Sequence, residues 1–374
     1  NLYVVAVDSD PKNVATARRK LDAAGLYGVR VSVQCVDPAE SRLPKYFANL
    51  IVSGRSVAGD PVKVDPTEVL RLQRPYGGVT CLGQPGDMDV ATRGPLESAG
   101  DWTHLYSNAA NTLCSTDPIK GPLSVLWFRD VDLEMPQRHG RGPSPLFHEG
   151  RLFAEGLDGV RAVDAYNGRS LWHFQQDGIL DAYNADHLAG TAITSSNMCI
   201  AGDSVFLRNA DRCYRIDAAT GELRATYPAP PKADGSEATW GYLACEGGIL
   251  FGSVANEEHI VRHAYQRADD KMRQQFSESS ALFAVDVESG EPLWRYDAES
   301  SIRHNAIAIG DGRVFLIDRP LALEDLLSRA PARRRDPPTV PPVGHPTGKL
   351  LTLDARTGEQ LWGEEDDIYG TTLA

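Results

Sequence analysis

Leu282-Phe283-Ala284-Val285-Asp286-Val287-Glu288-Ser289-Gly290-Glu291-Pro292-Leu293-Trp294 decides the fold of this chain, because the chain repeats it. The shared phrase is an apolar strand, Asp, a turn ending in Gly, and a return strand with Trp at a fixed place. The other copies are Ala162-Val163-Asp164-Ala165-Tyr166-Asn167-Gly168 to Trp172, Arg215-Ile216-Asp217-Ala218-Ala219-Thr220-Gly221 to Ala225, and Thr352-Leu353-Asp354-Ala355-Arg356-Thr357-Gly358 to Trp362. An Asp carboxylate binds backbone N–H groups just downstream and opens the turn. Gly closes it, where positive φ is cheap only without a Cβ. Each copy is therefore a β-hairpin with a large aromatic on its return strand. Upstream of each lies another Gly-centred pair of strand-like runs, such as Glu246-Gly247-Gly248-Ile249-Leu250-Phe251. Two hairpins make a four-stranded sheet that cannot bury its own apolar face, so the units must stack. Radial stacking of such blades is a β-propeller.

The phrase A-x-D-x-x-T-G-x-x-x-W resembles the tryptophan-docking motif of pyrroloquinoline quinone (PQQ) repeat propellers. The second copy departs from it, having Arg215 for the Ala and Ala225 for the Trp. Asp101-Trp102-Thr103-His104-Leu105-Tyr106 and Asn108-Ala109-Ala110-Asn111-Thr112 resemble the run that opens such propellers. The resemblance implies PQQ-like blades over residues 102–374, with insertions at 256–279 and 320–349. About four blades are present, so the ring is expected to be incomplete. The chain begins at Asn1 without Met or a signal peptide and reads as a fragment of a longer protein.

Residues 1–84 alternate strands with helices. Tyr3 to Val7 reads as a strand, Asp10-Pro11 as the cap of a helix to Ala24, Val29 to Val36 and Ala48 to Ser53 as further strands, Glu68 to Leu72 as a helix and Val79 to Leu82 as a strand. That order predicts a parallel, doubly wound sheet with its ligands beyond the carboxyl ends of the strands. Ala6-Val7-Asp8-Ser9-Asp10-Pro11, Phe47-Ala48-Asn49-Leu50-Ile51-Val52 and Arg74-Pro75-Tyr76-Gly77-Gly78 resemble a class I S-adenosylmethionine (SAM) methyltransferase joined after its first strand. The resemblance implies Asp8 at the ribose, Asp37 near the adenine and Asn49 where many members have Asp. The family's Gly-rich loop is missing, and the polar residues 84–100 predict a loop instead of its terminal hairpin. The fold expected is thus multidomain: a partial Rossmann-like, methyltransferase-type domain (1–84), a linker (85–101) and an all-β propeller (102–374).

Composition excludes some functions. A formal charge of −13 with no basic stripe argues against nucleic acid as partner. No apolar run reaches membrane-spanning length. Cysteines at 35, 81, 114, 199, 213 and 245 form no CxxC and no adjacent pair, so they read as mostly buried thiols. His259 and His263 would share a helix face, yet no third metal ligand accompanies them and a solvated face is the expectation. The Pro-rich run Pro337 to Pro342 predicts an extended loop.

Polar residues recur just before the first strand of each blade: Arg138, His139 and Arg141, then His187, then Trp240, then Arg303, His304 and Asn305. First strands line a propeller's channel, so these residues are expected to converge on one mouth and receive a protein or a small molecule. Arg grips carboxylates and Trp stacks flat rings. Three functions follow from the resemblances. One is a binding or scaffold propeller without catalysis, as in the lipoprotein of the outer-membrane assembly machinery. Another is a SAM-dependent methyltransferase whose propeller recruits substrate. The third is a PQQ- and calcium-dependent dehydrogenase, for which no calcium set and no vicinal disulfide is evident. The joining of a methyltransferase-like segment to PQQ-like blades resembles large multidomain proteins of bacteria with compartmented cells. The propeller type points to the periplasm or export, the methyltransferase-like segment to the cytoplasm.

Overall fold

The computed structural model describes residues 2–58, 64–118, 121–130, 133–134, 143–180, 197–256, 276–320, 348–368 and 372–374. The chain divides into two compact units: Asn1–Glu97 with Lys120–Arg129 and Tyr166–Gly168, and Ser98–Ile119 with Asp130–Ala165 and Arg169–Ala374.

In the first unit the order is β1 (Val4–Asp8), α1 (Pro11–Ala23), β2 (Val31–Cys35), a 3-10 turn (Pro38–Glu40), β3 (Leu50–Val52), α2 (Gly54–Ala58), α3 (Pro66–Leu72), β4 (Val79–Gln84) and β5 (Asp87–Thr92). Asp10 caps α1 by accepting from the Lys12 N–H at 2.8 Å, and Asp65 caps α3 through Thr67 at 2.9 Å; Pro follows each cap. β1 pairs β2 in parallel and β3 pairs β4 in parallel, with helical chain between the partners of each pair. The single doubly wound sheet expected from the sequence is not formed. The described strands make one two-stranded and one three-stranded sheet. A second difference is β5, which pairs antiparallel with β4 where the composition predicts a loop. Gly86, at φ +88°, turns the chain between them. β5 is mostly exposed, so ladder hydrogen bonds hold it in place of an apolar face.

The described strands of the second unit all pair antiparallel. One sheet holds β6 (Leu146–His148), β7 (Arg151–Gly156), β8 (Gly159–Asp164) and β9 (Ser170–Gln175). The next holds β10 (Met198–Ala201), β11 (Ser204–Asn209), β12 (Arg212–Asp217) and β13 (Leu223–Pro228). A seven-stranded sheet follows: β14 (Trp240–Glu246), β15 (Ile249–Ala255), β16 (Glu278–Asp286), β17 (Pro292–Gly310), β18 (Arg313–Asp318), β19 (Gly348–Asp354) and β20 (Gln360–Ile368). It is two blades sharing β17, whose first part pairs β16 and whose second part pairs β18. The crossover is held by Asp318, which accepts from the N–H groups of Glu299, Ser300 and Ser301 at 2.7–3.1 Å and from the Tyr296 hydroxyl at 2.9 Å. Residues 276–279 of the expected insertion are partly strand, since β16 begins at Glu278.

Alternation along each strand sends side chains to opposite faces, and each face fills a core between blades. Leu282 and Ala284 join Ile302, Ile307 and Val314 in one core; Ala281, Phe283 and Val285 join Cys199, Phe206 and Cys213 in another. A third core unites Phe153, Val160 and Ala162 with Ile200, Val205 and Ile216.

The repeated phrase is the joint between blades. The Asp286 carboxylate accepts from the N–H groups of Glu288 and Ser289, and Asp354 from those of Arg356 and Thr357, all at 2.8–3.1 Å. The Gly at the end of each turn leaves room for the preceding blade's aromatic. A Cβ at Gly221 would lie 2.7 Å from the Trp172 ring, and one at Gly358 2.6 Å from Trp294. Trp172 donates its indole N–H to Ala218 O at 3.1 Å, and Trp294 to Ala355 O at 2.9 Å. The second copy, which has no Trp, uses Tyr227 two residues further along the same strand face. Its hydroxyl donates to Val287 O at 2.6 Å, and its ring lies 3.8 Å from a Cβ placed on Gly290. Trp127 rests on Gly168 in the same way.

Replacing Gly221 by Ala is expected to cost about 2–4 kcal/mol, from the collision with Trp172 added to the strain of φ +78°. Gly312→Ala, at φ +71° in open space, is expected to lose only about 1–2 kcal/mol. Urea unfolding of both variants checks the difference.

The backbone N–H groups around Asp286 and Asp354 hold both carboxyls below the usual carboxylate range. Their stabilisation is present above the unfolded carboxylate pKa of about 4. It is lost as pH falls through the lower folded values. Asp354→Asn is expected to flatten the decline in urea midpoint between pH 5 and pH 2.5, measured against the parent.

Candidate functional site

The run Trp102 to Asn111 crosses the first strand of every blade. Trp102 and Phe147 exchange backbone hydrogen bonds at 2.9 Å, joining the run to β6. Ile200 on β10 donates to Thr103 O at 2.9 Å, and Cys245 on β14 donates to His104 Nε2 at 3.3 Å. Ile309 on β17 donates to Ala109 O, and Asn111 Nδ2 donates to Ile307 O, both at 2.8 Å. The inner edges expected to line a channel are thus bridged by this peptide.

Among the described residues a small cavity lies beside it, about 20 Å³, lined by His104, Tyr106, Asn111, Met198, Tyr242, His304 and Asn305. His304 is fully buried, and its Nε2 is hydrogen-bonded to Ser279 Oγ at 2.8 Å. Ser279 Oγ meets Ser253 Oγ at 2.6 Å, which accepts from the Tyr242 N–H at 2.6 Å. Gly241 lies over this chain, since a Cβ there would stand 2.6–2.7 Å from all three side chains. Because His104 Nε2 accepts from Cys245, its ring proton sits on Nδ1, bonded to Thr103 Oγ1 at 2.9 Å. Burial lowers the His104 pKa to about 4, so the ring is neutral at ordinary pH. Burial raises the Tyr106 and Tyr242 hydroxyls, and Tyr106 is hydrogen-bonded to the Asn305 side chain.

Of the residues expected at the mouth, His304 and Asn305 are brought together at this cavity. Arg303 lies 3.6 Å from Glu278 Oε1, whose other oxygen accepts from Ser301 Oγ at 2.8 Å. Trp240, expected to face the mouth, is instead fully buried. Its ring meets Phe283 edge-on at 4.9 Å and fills the space above Gly252, so it is core and offers no free face for stacking. Arg138, His139, Arg141 and His187 lie outside the described residues, as do His259 and His263.

A second buried group escaped the sequence. Glu155, near the end of β7, is 2% exposed. Its neighbours are Arg208, whose Nη1 donates to Trp240 O at 3.2 Å, and Asn197, whose Nδ2 donates to Ile179 O at 3.1 Å. Burial raises the Glu155 pKa to about 8 against the pull of Arg208 and Asn197.

In the first unit, Asp8 ends β1 and accepts from the Asp10 N–H at 2.7 Å and from Asn13 Nδ2 at 3.3 Å. Asp37 caps the 3-10 turn through the Ala39 N–H at 2.9 Å. Asn49 precedes β3, and its carbonyl accepts from the Val79 N–H at 2.9 Å. The carboxylates are thus engaged in local turns, and β1 with β2 lies in a different sheet from β3. Among the described residues no group of His, Cys, Asp and Glu could hold a metal ion. All six cysteines are free thiols. No described helix is long and apolar enough to cross a membrane.

Residues 84–261 match a family model described as outer membrane protein assembly factor BamB. No curated protein matches the chain. Among solved structures, a europium-containing methanol dehydrogenase is similar at 11% identity and TM-score 0.46, over 73% of this chain and 50% of that one. The quinohemoprotein alcohol dehydrogenase of Comamonas testosteroni is similar at 13% identity and TM-score 0.41, over 74% and 42%. BamB from Moraxella catarrhalis is similar at 14% identity and TM-score 0.27, over 63% and 64%. The chain therefore spans half or less of the two dehydrogenases it resembles. These comparisons do not point to a methyltransferase or Rossmann segment. Over residues 84–261 the chain is similar to that BamB-type repeat model.

Proposed function

We propose that the second unit is a binding or scaffold propeller without catalysis of its own. The observation that carries this reading is the bridging of the inner strands by Trp102 to Asn111. Among the described residues the cavity beside this run is about 20 Å³, room for a water or so, whereas ligand pockets run to about 300–1,000 Å³. A flat tricyclic quinone does not fit that cavity, and Trp240 is spent in the core. The family description, an assembly factor, supports the same reading. Addition of PQQ and Ca²⁺ is expected to produce no protein-bound quinone absorbance and no alcohol-dependent dye reduction. A stoichiometric band with turnover would replace this reading with the dehydrogenase one.

The same reading makes the buried polar groups structural. Glu155 holds its proton at neutral pH. Because its folded pKa is raised above the unfolded value, its contribution to stability is complete below about pH 4 and is lost as pH rises through about 8. Glu155→Gln is expected to fold normally and to remove that part of the loss of stability between pH 6 and pH 9, read by denaturant titration. Unfolding of the variant at neutral pH would contradict a protonated, structural Glu155.

A second reading, a SAM-binding segment in residues 4–92, is favoured by the parallel β1–α1–β2 and β3–α3–β4 arrangements. Calorimetric titration with SAM tests it. Micromolar binding that Asp8→Ala removes would support it, and the absence of heat would remove it.

A further inference from the structure

The four copies of the repeated phrase differ at the two positions before the turn's Gly. These are Ala219 and Thr220 in the second copy, Glu288 and Ser289 in the third, and Arg356 and Thr357 in the fourth, and all six residues are exposed. In the third and fourth copies the hydroxyl folds back on its own turn: Ser289 Oγ donates to Asp286 at 2.9 Å, and Thr357 Oγ1 to Asp354 at 3.1 Å. The first copy carries Tyr166 and Asn167 instead, and Tyr166 is buried. Tyr166–Gly168 is the tip of the β8–β9 hairpin, yet it packs as part of the first unit. Asn167 Nδ2 donates to Phe47 O and to Asn49 Oδ1, both at 3.1 Å. The Tyr166 ring stands edge-on to Tyr46 at 5.7 Å and stacks on Tyr76 at 6.2 Å. The Arg93 guanidinium lies over the Tyr46 ring at 4.9 Å. Tyr46 and Tyr76 hold φ of +63° and +56°, a left-handed backbone that bulky side chains rarely adopt. Both strained residues present their rings to Tyr166, so the strain sits where the contact is made.

We propose that Tyr46, Phe47, Asn49 and Tyr76 form a built-in docking surface whose ligand is the Tyr166-Asn167 turn of this same chain. The surface asks for a flat ring beside a primary amide. Two tyrosine rings receive the one, and a backbone carbonyl and an amide oxygen receive the two protons of the other. A Ser or Thr hydroxyl has a single proton, and in the third and fourth copies it goes to the turn's own Asp. Among the four copies the first therefore has the groups that fit. Docking steadies the strands beside the surface. Tyr46 and Ala48 donate to the carbonyls of Arg71 and Leu72 at 2.9 and 3.0 Å, and Asn49 O accepts from the Val79 N–H at 2.9 Å, so the gripped residues frame β3 and β4. The Asn49 side chain is thereby committed to the chain itself. The proposal does not depend on how the polar cavity of the second unit is read.

Hydrogen–deuterium exchange of the whole chain, read by mass spectrometry, tests this. Asn167→Thr installs the residue that the second and fourth copies carry, so the turn keeps its own bonding while the docking amide is lost. Tyr166→Ala removes the ring. In each variant the amides of β3 and β4 are expected to exchange at least about ten-fold faster than in the parent, while β11 to β13 keep their protection. With Asn167→Thr, β8 and β9 are expected to stay protected as well. Unchanged protection of β3 and β4 in either variant overturns the proposal. Loss of protection in β8 and β9 with Asn167→Thr overturns it too, because Asn167 would then serve its own turn and not a docking surface.

Discussion

An aromatic ring seated on a glycine is the constraint on which the second unit depends. The ring buries a large area, and its polar edge satisfies a backbone carbonyl that the Asp turn leaves pointing outward. Neither half is sufficient by itself. The turn needs Asp to collect its N–H groups and Gly to clear the space. The ring needs a strand register that aims it across the gap. These demands are chemical, which is why the phrase survives repetition while the strands around it vary. Tyr227 shows how far the joint bends. Two residues along a strand returns to the same face, and a phenol hydroxyl reaches the carbonyl that an indole N–H would have taken.

Blades joined at their outer strands still leave inner edges with unpaired backbone groups. The run Trp102 to Asn111 meets them in chain order, from β6 to β17. This bridging places the polar side chains of the axis in contact with one another. His304, Ser279 and Ser253 form a closed hydrogen-bonded series, and His104 is fixed between a threonine hydroxyl and a strand N–H. A buried polar group that is satisfied holds its neighbours in one arrangement.

The repeat was legible because Asp, Gly and Trp each answer a local physical need. His304 and Asn305 lie within β17 and line the small cavity with His104 and Tyr242. What was hidden follows from the limits of local pattern. Trp127 follows Asp117 and Gly121, which have the Asp-x-x-x-Gly spacing of the repeat, but it stands six residues after the Gly instead of four, so the phrase escaped notice. Trp240 was misplaced because a polar-flanked aromatic at a strand start faces either side, and Gly252 opposite it decides which. Glu155 reads as a solvated strand residue, and its burial depends on neighbours about fifty positions away. β5 carries no apolar alternation, since backbone pairing alone supports it. Parallel β-α-β order was readable from residues 4–84, while the division into two sheets was not.

The most direct test of the joint is a double-mutant cycle between Trp294→Phe and Gly358→Ala, with stability read from urea unfolding of each variant. If ring and glycine form one contact, the two losses fail to add and the coupling exceeds about 1 kcal/mol. Strictly additive losses would mean that the indole and the turn act independently, and the account of how the blades are held together would not stand.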